Sequence, residues 1–132
     1  MTNCYATGDV NGNDYVGGVA GHVGSGEMTN CAALNQSISG TSDVGRVVGA
    51  VTGSPTLSGN AAFIDMTVTV GGSGKTLDRG NNKLDGEDIT KAAIRSEGTI
   101  GGRFTTANGW TVQPGKLPGL LGAVVDLPDY LK

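Results

Sequence analysis

The chain holds few of the side chains that chemistry requires. It has one histidine, two cysteines and one tryptophan, and aromatics make up 5% of its 132 residues. Two cysteines and one histidine cannot complete a structural zinc site, which takes four ligands. A Ser or Cys nucleophile needs a base beside it, and His22 is the only imidazole. The nine Lys and Arg residues are scattered singly in a chain of net charge −3 and pI near 4.9. No basic stripe forms, so nothing points to nucleic acid. No apolar run approaches the ~18 residues of a membrane-spanning helix.

Glycine is present in excess. It supplies 24 of 132 residues, against an average usage of about 7%. Each glycine weakens a helix by about 1 kcal/mol relative to Ala, which argues against a helical bundle. The glycines follow no three-residue period, so a collagen triple helix is excluded. Such a chain suits frequent turns and close backbone packing.

The sequence also repeats itself. Met1-Thr2-Asn3-Cys4 returns as Met28-Thr29-Asn30-Cys31, and Val16-Gly17-Gly18-Val19-Ala20-Gly21-His22-Val23 returns as Val44-Gly45-Arg46-Val47-Val48-Gly49-Ala50-Val51. A nearly fixed period of this size marks a stacked array, because one repeat cannot bury its own apolar face. The reading is an all-β solenoid of about three coils over residues 1–84, with coils at about 1–27, 28–56 and 57–84. In the first coil Met1–Ala6 alternates and reads as a strand, and in the second the strand lies around Cys31–Leu34; a turn lies near Gly8–Asp14 or Ser39–Ser42, and a second strand covers Tyr15–Val23 or Val44–Val51. The third coil is degenerate: Leu57-Ser58-Gly59-Asn60-Ala61-Ala62 stands in for Met28–Ala33, and Phe63–Val70 alternates as a strand. A short helix is expected from about Asp85 to Ser96, with Asp85 or Asp88 capping it and Gly98 ending it. Residues 85–132 are expected to form a C-terminal cap on the same domain, with Trp110, Leu117, Leu120 and Leu121 covering the open end of the stack. A chain that opens on a repeat motif is expected to be a piece of a longer array.

Cys4 and Cys31 share one phase of successive repeats. Stacked strands lie ~4.8 Å apart and disulfide Cα atoms 4.4–6.8 Å apart, so distance permits a bridge. In an in-register parallel stack, however, the Cβ vectors run side by side. Two reduced thiols serving as small apolar residues are expected.

Thr2-Asn3-Cys4-Tyr5-Ala6-Thr7-Gly8-Asp9-Val10, a turn, and then Val16-Gly17-Gly18-Val19-Ala20-Gly21 resembles the GLUG-motif repeat of bacterial surface and secreted proteins. The second coil, Asn30–Asn35 through Val44–Gly49, resembles the last full repeat of such an array. Leu84–Thr90, Gly109-Trp110-Thr111 and Gly115-Lys116-Leu117-Pro118 resemble the segment that closes one. The likeness is specific over residues 1–57 and looser from 58 to 132. Arg46 and Val48 depart from the small or Leu/Val residues of the repeat. The resemblance implies a right-handed parallel β-helix, one coil per repeat, located outside the cell or on its surface. It transfers no catalytic residue.

Several motifs have a duller explanation. Gly71-Gly72-Ser73-Gly74-Lys75-Thr76 has part of a phosphate-binding loop, but Thr69 stands where the first glycine belongs, and no helix can follow Lys75. Asp9-Val10-Asn11-Gly12-Asn13 opens like a calcium loop, yet Asp14 and Ala20 replace its required Gly and Glu. Turn residues at a solenoid corner explain the same letters. Asp85, Glu87 and Asp88 are explained by helix capping. The expectation is no catalytic, cofactor-binding or metal-binding residue and no enzymatic activity. The function expected is a repeat module that displays an adhesive face or acts as a rigid spacer, with host glycans or extracellular matrix proteins as partners and self-association through the exposed N-terminal coil. The alternative is an accessory module of a secreted hydrolase, such as an immunoglobulin A peptidase-like or polysaccharide-degrading enzyme. Activity within the solenoid itself would rest on fold analogy alone.

Overall fold

The computed structural model describes residues 1–132, which form two compact units, Met1–Asp88 and Ile89–Lys132. In the first unit the sequence period becomes strand register. Tyr5 lies opposite Ala32, and Ala32 opposite Ala61, all parallel. The strands Tyr5–Ala6, Ala32–Ala33, Ala61–Phe63 and Glu87–Ile89 make one sheet in that order. Val10–Asn11, Ser37–Gly40 and Thr67–Val70 stack as a second parallel sheet, and Ser73–Gly74 closes it antiparallel. Three two-stranded parallel sheets complete the coils: Glu27–Thr29 with Thr56–Ser58, Asp14–Gly17 with Ser42–Gly45, and Ala20–Val23 with Val48–Val51. This is a β-solenoid of about three coils, as the repeat predicted.

The long strands expected over Tyr15–Val23 and Val44–Val51 are each two strands. The break falls at Gly17-Gly18 and Gly45-Arg46, where the chain reverses and lays the next strand against the last. In the first coil the Val19 and Ala20 amides both donate to Val47 O at 3.1 Å. The two strands approach so closely that side chains are barred from the seam between them. A Cβ on Gly17 would collide with the Ala20 carbonyl, and one on Gly45 with that of Val48. A Cβ on Gly49 would fall 2.5 Å from Gly21 O and 2.6 Å from Val16 N. Close backbone approach, more than turn conformation, therefore explains the glycines inside these strands.

The interior is built of ladders of small apolar residues. Cys31, Ala32, Ala33 and Leu34 are fully buried, Ala61 and Ala62 stack on the next level, and Ile38 and Val68 face inward on the neighbouring sheet. A left-handed corner precedes each first strand, at Asn3 (φ 52°), Asn30 (φ 52°) and Gly59 (φ 66°). Asn and Gly are the residues that tolerate this region. Asn60 fastens the third coil to the second: its Oδ1 accepts from Cys31 N and its Nδ2 donates to Met28 O, both at 2.9 Å.

The third coil is cut short. Leu84 O accepts from the Val47 and Val48 amides, both at 3.0 Å, which places Leu84 one level above Val47. The second coil then uses residues 48–59 to travel from Val47 round to Asn60. The third uses only Asp85 and Gly86 before Glu87 N bonds Asn60 O at 3.0 Å.

In the second unit the helix spans Lys91–Glu97, shorter and later than expected. Its cap is Thr90, whose Oγ1 accepts from Ala93 N at 3.2 Å, and it ends at Gly98 with φ 75°. Asp85 and Asp88 do not cap it, because both are held in the first unit. Ile94, Ile100, Phe104, Leu117 and Leu131 are buried, and Trp110 meets Phe104 edge-on with centroids 4.9 Å apart. Leu120 and Leu121 are 57% and 102% exposed. They are not the covering residues they were expected to be. The turn that carries them leaves both side chains in solvent.

Candidate functional site

The densest cluster of charge in the first unit surrounds Arg46, the residue that breaks the repeat's small-residue pattern. Its side chain is wholly buried. Nε donates to Asp85 O at 2.8 Å, Nη1 to Phe63 O at 3.4 Å and Nη2 to Gly86 O at 3.0 Å. Nη2 also pairs with Asp88 Oδ1 at 2.8 Å. The guanidinium thus occupies the space left where the third coil takes its short cut, and it satisfies the carbonyls of that short cut. Asp85 is buried beside it. Its Oδ1 accepts from Arg46 N and Lys75 Nζ, both at 2.9 Å, and its Oδ2 from Asp78 N at 2.8 Å and Lys75 Nζ at 3.0 Å. Arg79 reaches Asp88 at 3.0 Å from the surface. Every charge here has a partner. A buried ion pair with its hydrogen bonds completed fixes one arrangement of chain, and this one holds the 75–88 segment across the coil.

The other sequence motifs fall into structural roles. Gly71–Gly74 is the hairpin turn after Thr67–Val70, and Lys75, far from awaiting a phosphate, is bound to Asp85. Asp9 Oδ1 accepts from Ser37 N at 3.1 Å, and Asp14 Oδ1 from Ser42 Oγ at 2.5 Å, so both carboxylates tie coil to coil. No group of three or more His, Cys, Asp or Glu side chains is placed to hold a metal ion. His22 lies at the surface with Nε2 3.2 Å from Thr52 Oγ1 and its ring edge-on to Tyr15, centroids 5.5 Å apart.

Both cysteines are free, Cys31 buried and Cys4 half-buried. Each lies 3.4 Å from the carbonyl oxygen two residues back, of Thr2 and of Thr29. Burial pushes the Cys31 thiol pKa up, because the thiolate would lose its hydration.

Asn35 is the one buried polar side chain left short. Its Nδ2 donates to Gly8 O at 2.5 Å, but its Oδ1 has no partner. The sequence carried no sign of the Arg46–Asp85 cluster. Arg46 stands out as a departure from the repeat, but its partners Asp85, Gly86 and Asp88 lie some forty residues on, in a segment that repeats nothing.

Residues 12–39 match the GLUG motif. The matched stretch is one repeat period, running from the turn before Val16 through the strand Ser37–Gly40. The matched stretch therefore holds four whole strands and most of a fifth, one full turn of the solenoid, and straddles the first two coils. No curated protein and no solved structure matches the chain.

Proposed function

We propose that this chain is a structural repeat module of a surface or secreted protein, which acts as a rigid spacer and presents an adhesive outer face. The observation that carries this reading is the in-register stacking of the coils: the first and second present the same outward positions one strand spacing apart. A ladder of that kind makes stiffness and regular display properties of the backbone. The charged cluster supports the non-catalytic reading, since its members are consumed in holding the third coil. Glycans and matrix proteins are the partners to test. The experiment is binding of the purified chain to arrays of immobilised glycans and extracellular matrix proteins, with and without calcium. Saturable binding to one class identifies the adhesive partner. Silence across both arrays removes the adhesive half of the reading and leaves the spacer.

A further inference from the structure

In the first unit Tyr15 is the one left-handed residue that is not Asn, Asp or Gly. Its φ is 55°, a region that side chains of its bulk rarely enter. One coil on, the same corner is filled by Asp43 at φ 50°. Asp and Asn tolerate this backbone, whereas a tyrosine there holds strain. Burial offsets little of it, since Tyr15 is 54% exposed.

The Tyr15 ring is nonetheless fixed. It meets the His22 imidazole edge-on, with centroids 5.5 Å apart and planes at 63°. His22 Nε2 lies 3.2 Å from Thr52 Oγ1, which steadies the imidazole in turn. Both ring-bearing residues are exposed, so the two rings form a corner open to solvent. Opposite His22 stands Ala50, whose methyl group is too short to screen the imidazole.

Asp43 completes the corner. Asp14 pairs with Ser42 and Val16 with Val44, so Asp43 stands across from Tyr15, one strand spacing of ~4.8 Å along the stack. Asp14 is tied to Ser42 Oγ, but Asp43 is exposed and has no partner in the protein.

These three groups suit a sugar. The face of an aromatic ring is apolar and electronegative, which matches the C–H face of a pyranose. A carboxylate only accepts hydrogen bonds, and two neighbouring hydroxyls can donate to it together. The imidazole can give or take one more. A metal ion would find a single free carboxylate here, and a phosphate would meet a negative charge.

We propose that Tyr15, His22 and Asp43 bind one hexopyranose unit of a glycan, its C–H face on the Tyr15 ring and two adjacent hydroxyls on Asp43. This rests on the display reading above and deepens it, by giving the outer face a place and a ligand class. It also accounts for the strain, which persists where the presentation of a group matters. The second coil has Asp43 where the first has Tyr15, so the pairing of ring and carboxylate occurs at this one step of the stack.

The probes are the methyl glycosides of galactose, glucose and N-acetylglucosamine. Each is titrated into the 15N-labelled chain to about 50 mM, enough to fill a site with a Kd of about 1–10 mM. At least one is expected to shift the Tyr15, His22 and Asp43 amides saturably. Tyr15→Asn is the deciding variant, because it removes the ring and places at the corner a residue that tolerates the backbone. It is expected to weaken binding about tenfold or more with Tm unchanged or raised, an outcome that a merely structural tyrosine would not give. Asp43→Asn keeps the corner and is expected to weaken binding as well. No saturable shift with any of the three probes, or equal shifts in Tyr15→Asn, would overturn the proposal. An equal response to tetramethylammonium would overturn it in favour of a cation held on the ring. Glycan-array binding that survives Tyr15→Asn would overturn this site alone and leave the display reading standing.

Discussion

The first and second coils carry nearly the same residues and meet different fates. Met1 is 57% exposed, while its counterpart Met28 is fully buried. Cys4 is half-buried and Cys31 buried; Val19 is half-buried and Val47 buried. The strands, the register and the left-handed corner are the same in both. What differs is that at these positions the second coil has a neighbour on each side and the first on one. In a stacked array the side chain's worth is set by the adjoining levels as much as by its own position.

That contrast can be broken at graded strength. The largest effect is expected where the second coil buries a charge that the first lacks, Gly18 against Arg46. Arg46→Ala would strand the carbonyls of Phe63, Asp85 and Gly86 and half of the Asp88 pairing. Loss of one partner of a buried, hydrogen-bonded pair costs about 3–5 kcal/mol, to be read from denaturant unfolding. A loss under about 1 kcal/mol would mean that the 75–88 segment is held by other contacts.

Next come the paired methionines. Met28→Ala removes a fully buried side chain and is expected to cost about 2–5 kcal/mol. Met1→Ala should stay within about 0.5 kcal/mol, as surface changes do. Equal costs would refute the asymmetry. The valines repeat the experiment on a smaller scale: Val47→Ala is expected to cost about 1–3 kcal/mol from lost apolar burial, and Val19→Ala visibly less.

The thiols give the smallest and most chemical contrast. A disulfide-exchange reagent should label Cys4 in the folded chain and Cys31 only as fast as the structure opens. The raised pKa of Cys31 also makes stability depend on pH. Below the thiol's unfolded pKa of about 8.5 both states hold the proton and nothing changes. Above it the unfolded chain releases the proton first, so stability falls as pH rises. Tyr5, raised by burial as well, adds to the fall at higher pH. Cys31→Ala should remove the part of the slope that begins near pH 8.5, and an unchanged slope there would refute the assignment.

Those features that repeat were legible in the sequence. Offsets between Met1 and Met28, Val16 and Val44, and Met28 and Leu57 became strand pairings, because a parallel in-register ladder writes its register directly into the period. Splitting of Tyr15–Val23 into two strands was not legible, since a seam glycine and a strand glycine are the same letter. Nor was the closing segment. The burial of Asp85 depends on Lys75 and Arg46, residues with no periodic relation to it, and Thr90 displaced it as cap because a short helix can start at any suitable acceptor. Only the GLUG repeat pointed toward function, and it names an architecture more than a ligand.

The glycine seam records how these repeats have drifted apart. Between the two coils position 18 has gone from Gly to Arg, position 20 from Ala to Val and position 22 from His to Ala, yet Gly17 and Gly21 stand unchanged as Gly45 and Gly49. Most single-base changes in a glycine codon add a side chain, and at the seam any side chain strikes backbone. Duplicated coils can therefore change exposed residues such as His22, and even the buried Gly18 and half-buried Ala20, while the seam glycines admit no side chain and keep the fold beneath them.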